Sequence, residues 1–111
     1  MLADAAYDSI LFDREEAVPD LAEYFSKNKR DADARFLAVQ LLGFSGSERA
    51  IPVLLEALAD TNADVRAEAC RALEDLNHPA TIPELESRLT DLSEDVRLAA
   101  SDALETLRAA G

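Results

Sequence analysis

The stretch Asp64-Val65-Arg66-Ala67-Glu68-Ala69-Cys70-Arg71-Ala72-Leu73 decides the fold, because it recurs. Asp95-Val96-Arg97 follows 31 residues later, and Asp33-Ala34-Arg35 stands 31 residues earlier. A second phrase keeps the same step: Ala50-Ile51-Pro52-Val53-Leu54 returns as Thr81-Ile82-Pro83-Glu84-Leu85. Its earliest copy, Ala17-Val18-Pro19-Asp20-Leu21, lies 33 residues before the Pro52 copy, and the two extra residues fit the polar linker Lys27-Asn28-Lys29-Arg30-Asp31. Self-similarity at a fixed period of about 20–50 residues marks an array of supersecondary units that share one continuous core.

Each unit reads as two helices. Helix A opens at the Asp-Val-Arg phrase, with Val65, Ala69, Leu73 and Leu76 on one face. Asn62 and Ser93 stand where N-caps are needed, and Asp64 and Asp95 fall in the first turn, where the helix dipole favours an acid. Helix B follows the proline phrase, with Ile51, Leu54 and Leu58 mirrored by Ile82, Leu85 and Leu89. Proline is tolerated there, because first-turn amides have no intrahelical partner to lose. Toward the N-terminus, residues 2–11 predict a short amphipathic helix, Phe12 to Glu16 break it, and a helix B opens at Ala17 and runs to about Ser26. The spacing gives helix pairs over about 2–27, 32–59 and 63–90, then a lone helix A over 94–109. The expected fold is all-α: one domain over 1–111, with about three and a half two-helix repeats and seven helices. The unpaired last helix either caps the stack or belongs to a longer array.

Composition narrows the function. A formal charge of −12 opposes binding to nucleic acid or an anionic membrane, both of which require a basic face. The single cysteine, Cys70, forbids an intrachain disulfide, as suits a reducing compartment. The sequence has no apolar run approaching the roughly 18 residues of a membrane span, and Met1-Leu2-Ala3-Asp4 lacks the pattern of a signal peptide. The expectation is a soluble cytoplasmic protein.

With the Asp-x-Arg phrase, the alanine-rich helix and Ile-Pro-x-Leu in hand, the chain resembles HEAT-like repeats of the bilin-lyase type, a short bacterial and archaeal variety. Residues 32–107 fit well, whereas residues 1–27 fit loosely and Leu2 stands where the arginine would fall. The resemblance implies a right-handed α-solenoid whose helices B line a concave, partner-binding side. It does not imply lyase activity, because many non-enzymes share the repeat. Where the pattern closes helix A with a leucine (Leu76, Leu107), the second unit has Ser45, so Phe44 is expected to turn inward. Gly46 and Asn77 occupy the turn position that favours left-handed geometry.

No catalytic constellation emerges. Arg35, Arg66 and Arg97 read as a structural ladder with Asp33, Asp64 and Asp95 of adjacent units, since positions i and i+2 of one helix point apart. Asp60-Thr61-Asn62-Ala63-Asp64 starts like a calcium loop, but Val65 replaces the required glycine and Arg71 the closing glutamate. His78 is the only histidine and reads as a turn residue before Pro79, without partners for zinc. Cys70 takes a small packing position, matched by Val39 and Ser101. Glu15-Glu16 and the other acidic pairs lie on solvated turns with nothing to raise a pKa. Neither a metal nor a cofactor is expected.

The exposed face of helix B remains. It is expected to present Asp20, Glu23 and Tyr24, then Val53, Glu56, Ala57 and Asp60, then Glu84, Arg88 and Asp91. This mostly acidic stripe with an apolar patch suggests a non-enzymatic scaffold or adaptor that binds a protein or peptide with a basic surface. The alternatives are an accessory subunit of a bilin-lyase-like or other enzyme complex, and a fragment of a longer array.

Overall fold

Short polar side chains open the A helices. Asp31 accepts a hydrogen bond from the Ala34 amide (3.0 Å) and so starts α2 (Ala32–Phe44). Asn62 accepts from Asp64 (2.8 Å) and Val65 (3.2 Å) at the head of α4 (Ala63–Leu76). These contacts satisfy amides that the helix itself leaves free. The left-handed residues Gly46 (φ +66°) and Asn77 (φ +52°) turn the chain after α2 and α4. The Asn77 amide donates back to the Leu73 carbonyl (3.0 Å), closing α4.

The B helices of the second and third units begin as 3₁₀ turns. Ser47 caps the turn Glu48–Ala50 and leads into α3 (Ile51–Ala57). His78 Nδ1 accepts from the Ala80 amide (3.2 Å), capping Pro79–Thr81 before α5 (Ile82–Glu86). Helices of five to seven residues do not persist alone. Leu54 and Leu85, both fully buried, pin them to the core, and each such side chain contributes about 1.5–3 kcal/mol of burial. The remaining elements are α1 (Arg14–Lys27) and α6 (Glu94–Ala110).

The computed structural model describes residues 14–110. The helix expected over 2–11 and the break from Phe12 lie outside them, apart from residues 14–16, which belong to α1. Those residues form six α-helices in two layers of a solenoid-like stack, with overall extents of 43 × 33 × 17 Å. The A helices α2, α4 and α6 pack side by side and make most of the contact between units, while α1, α3 and α5 each lie chiefly on the A helix that follows. Val39, Leu42, Val65, Leu73, Val96 and Leu104 fill the space between the layers. Gly43 lets α2 approach α4: a Cβ built there would stand 2.9 Å from Ala72 Cβ.

Three local expectations are corrected. Helix α1 starts at Arg14 rather than Ala17, so Pro19 lies inside it. Where later units place the capping Ser47 and His78, the first has Arg14 followed by two glutamates, which continue a helix instead of stopping it. Phe44 does not turn inward: it is 54% exposed, and Ser45 keeps the buried position. Ser45 can do so because its hydroxyl donates to the Leu42 carbonyl (2.6 Å) and accepts from the Ser47 amide (3.2 Å). Leu89 falls beyond the end of α5, in the turn before α6, and is exposed, unlike its counterpart Leu58.

Candidate functional site

The arginines of the Asp-x-Arg phrase organise the joints between units. Arg35 Nη1 donates to the carbonyls of Asn28 (2.9 Å) and Lys29 (2.7 Å) in the linker before its own helix. Its Nε and Nη2 form a fork onto Asp60 Oδ1 (2.9 Å) and Oδ2 (3.1 Å) in the next linker. Arg66 repeats the pattern: Nη1 donates to Asp60 O (2.8 Å) and Thr61 O (3.3 Å), and Nε and Nη2 donate to Asp91 (both 3.0 Å). Arg97 Nη1 donates to Asp91 O (2.7 Å) and Leu92 O (3.2 Å). The first linker is thereby tied to the second, and the second to the third, by bidentate, charge-assisted contacts.

The ladder uses different aspartates from those expected. Asp33, Asp64 and Asp95 are exposed in the first turns of their helices, and no rung engages them. Asp60 and Asp91 sit two residues before the next N-cap, where each also accepts its own i+2 amide, Asn62 (2.9 Å) or Ser93 (2.9 Å). That turn aims the carboxylate back at the preceding arginine. The missed signal was periodic too: Asp60 and Asp91 are 31 residues apart, and each stands 25 residues after its arginine.

This geometry removes three residues from the expected B face. Ala57 is fully buried in the core, facing inward from α3. The Asp60 side chain is 8% exposed and that of Asp91 3%, both held by the rungs. The other seven remain at or near the surface. Asp20, Glu56 and Glu84 are exposed. Glu23 is exposed and pairs with Lys27 (2.6 Å), which holds its carboxyl below the ordinary range. Tyr24 is 45% exposed, whereas Val53 is half-buried against the core. Arg88 is half-buried and reaches Asp91 (3.4 Å) through Nη1, while its Nε is buried without a hydrogen-bond partner among the described residues. The accessible acidic row of the B layer is therefore Asp20, Glu23, Glu56 and Glu84, with Tyr24 beside it.

Several further titratable groups are shifted by their surroundings. Burial, with Asp91 nearby, pushes the Cys70 thiol up to about 12, so it carries no nucleophilic thiolate at neutral pH. Arg66 holds the Asp91 carboxyl below its ordinary range against the opposing effect of burial. Burial raises Glu68 and also Asp75, the latter helped by neighbouring Glu74. His78 Nε2 lies 3.6 Å from Glu48 across one turn of the stack.

The family description of HEAT repeats matches residues 2–64 and again residues 51–110. The chain belongs to the HEAT-repeat family. HEAT repeats commonly mediate contacts between proteins, through the extended surfaces that stacked helix pairs create. No curated protein is significantly similar to the chain. In this HEAT stack the A layer carries the packing and the rungs, and α1, α3 and α5 of the B layer carry the accessible acidic row. No helix of the described residues is long and apolar enough to cross a membrane.

Proposed function

We propose that the protein is a non-enzymatic interaction scaffold whose B layer lines the inner curve of a right-handed solenoid and receives a basic partner with an apolar anchor. The observation that carries this reading is the exposure of Asp20, Glu23, Glu56 and Glu84 at repeat-related positions, with Tyr24 among them. A one-signed row on a curved wall focuses its field and speeds encounter with a cation. Tyr24 supplies a rigid, amphipathic anchor of the kind that interfaces favour. The inert Cys70 and the paired Asp60 and Asp91 fit a non-enzymatic role. The 31-residue period and the Asp-x-Arg phrase support placing the repeats in the short bilin-lyase variety.

The test is titration of the labelled protein with a synthetic lysine-rich peptide carrying one central leucine, followed by NMR. Amide shifts are expected to cluster around Asp20, Tyr24, Glu56 and Glu84, and Glu56→Lys with Glu84→Lys should weaken binding and flatten its salt dependence. Tyr24→Ala should act mainly by speeding dissociation. Shifts centred instead on the exposed first-turn acids Asp33, Asp64 and Asp95 would place the binding face on the A layer and overturn the reading.

A further inference from the structure

Two successive units open their B helices with the same bond made by different chemistry. Ser47 Oγ accepts from the Arg49 amide (3.2 Å), and 31 residues on His78 Nδ1 accepts from the Ala80 amide (3.2 Å). A hydroxyl keeps its lone pairs across the physiological pH range. A neutral imidazole has one acceptor nitrogen and one donor, so the Ala80 bond fixes the proton on Nε2. That nitrogen lies 3.6 Å from Glu48 Oε1 in the entry turn of the preceding unit.

A second proton reverses both relations. The imidazolium carries an N–H on each nitrogen, so Nδ1 then opposes the Ala80 N–H instead of receiving it. At the same time the ring gains a full charge beside Glu48. The charged residues on the adjoining elements are Glu48 and Arg49 in the preceding entry turn, Glu74 and Asp75 near the end of α4, and Glu84 and Glu86 in α5. Of these, only Glu48 pairs with the imidazole. Its side chain is 78% exposed, so the pair is screened by solvent and returns less than the lost cap removes. The backbone of His78 is held in either state. Its carbonyl accepts from the Thr81 amide (3.1 Å) and the Thr81 hydroxyl (2.8 Å), and Thr81 is buried.

We propose that His78 is a pH-sensitive latch on α5: neutral, it caps the entry turn of the third unit, and protonated, it releases that cap and turns to Glu48 of the second. Histidine ordinarily changes charge between about pH 5 and 8, and His78 is the only one in the chain. The loosening is confined to α5, which is five residues long and still pinned by the buried Leu85. Helix α3, entered through Ser47, does not respond. Because α5 carries Glu84, release also slackens one part of the acidic B face. That consequence rests on the scaffold reading, whereas the latch itself does not.

The test is NMR of the free, full-length protein on both sides of the histidine range. Imidazole nitrogen shifts should show the Nε2-protonated tautomer at neutral pH. Hydrogen exchange, corrected for its intrinsic pH dependence, then compares the Ser87 amide, which donates to Pro83 O (3.3 Å) at the end of α5, with the Leu58 amide, which donates to Leu54 O (3.1 Å) at the end of α3. Protection of Ser87 should fall about fivefold relative to Leu58 as His78 is protonated, the size of a lost N-cap. His78→Ser installs the cap of the preceding unit and should abolish the fall, although Glu68 and Asp75, both raised by burial, still titrate in that variant. Glu48→Gln should deepen it, because the released ring then has no acid to turn to. An Nδ1-protonated tautomer at neutral pH would overturn the proposal. So would equal relative protection at both pH values, or the same fall in His78→Ser.

Discussion

Asp91 is the most heavily used single residue in the described structure. Its carboxylate receives Arg66 through two bonds, Arg88 through a third and the Ser93 amide through a fourth, and its carbonyl receives Arg97. Because its folded pKa is depressed, mainly by the bond to Arg66, its contribution is complete above the ordinary carboxylate range and is lost as pH falls through the folded value. Glu68 and Asp75, raised by burial, act with the opposite sign, since the fold favours their protonated forms. Melting curves of wild type and Asp91→Asn isolate the term: the stability gap should be constant from neutral pH to about pH 5 and close below about pH 4. A gap independent of pH down to strong acid would mean that the charge of Asp91 adds nothing. The arginines of the ladder were legible in the sequence because their period is strict. Their acceptors were not, since two aspartates per unit keep the same period and only backbone direction separates them. Asp64 leaves the helix on its exposed side, whereas Asp60 is folded back by its own turn. For the same reason the sequence does not separate Ala57 from the open face: an alanine announces neither side of a helix.

Among the elements, the A helices followed from apolar spacing and caps, and their observed limits lie close to those expected. The B helices were harder, because their short length leaves the entry turn to decide direction. Ser47 and His78 stop the chain in a 3₁₀ turn, and without such a cap α1 runs on through Pro19. The α2–α4 contact depends on Gly43, where a methyl group would meet both Cβ and Cα of Ala72, at 2.9 and 3.1 Å. Helix propensity alone would make Gly43→Ala stabilising by about 0.5–1 kcal/mol. Overpacking costs about 1–3 kcal/mol and should win. Chemical denaturation should therefore show Gly43→Ala to be less stable by roughly 1 kcal/mol, with partial recovery when Ala72→Gly is added. A stabilised Gly43→Ala would show that the two helices are free to separate.

For the whole molecule, stability in a stack is the sum of each unit's own term and the interfaces between neighbours. The A layer supplies most of the apolar interface, and the Arg–Asp rungs join the linkers along one edge, leaving the B-layer acids at the surface. Arg66 and Arg97 form an internal comparison for the worth of a rung. Both donate Nη1 to two linker carbonyls, but only Arg66 also grips an aspartate whose side chain is 3% exposed. Removing one partner of a buried pair costs about 3–5 kcal/mol, and Arg66→Ala should fall at the lower end because Arg88 still faces Asp91. Arg97→Ala forfeits only hydrogen bonds of an exposed side chain, about 1 kcal/mol. The decisive measurement is urea unfolding of these two variants beside the wild type. A loss at least about 2 kcal/mol larger for Arg66→Ala than for Arg97→Ala is the expected result, and equal losses would contradict a stack held together by its Arg–Asp rungs.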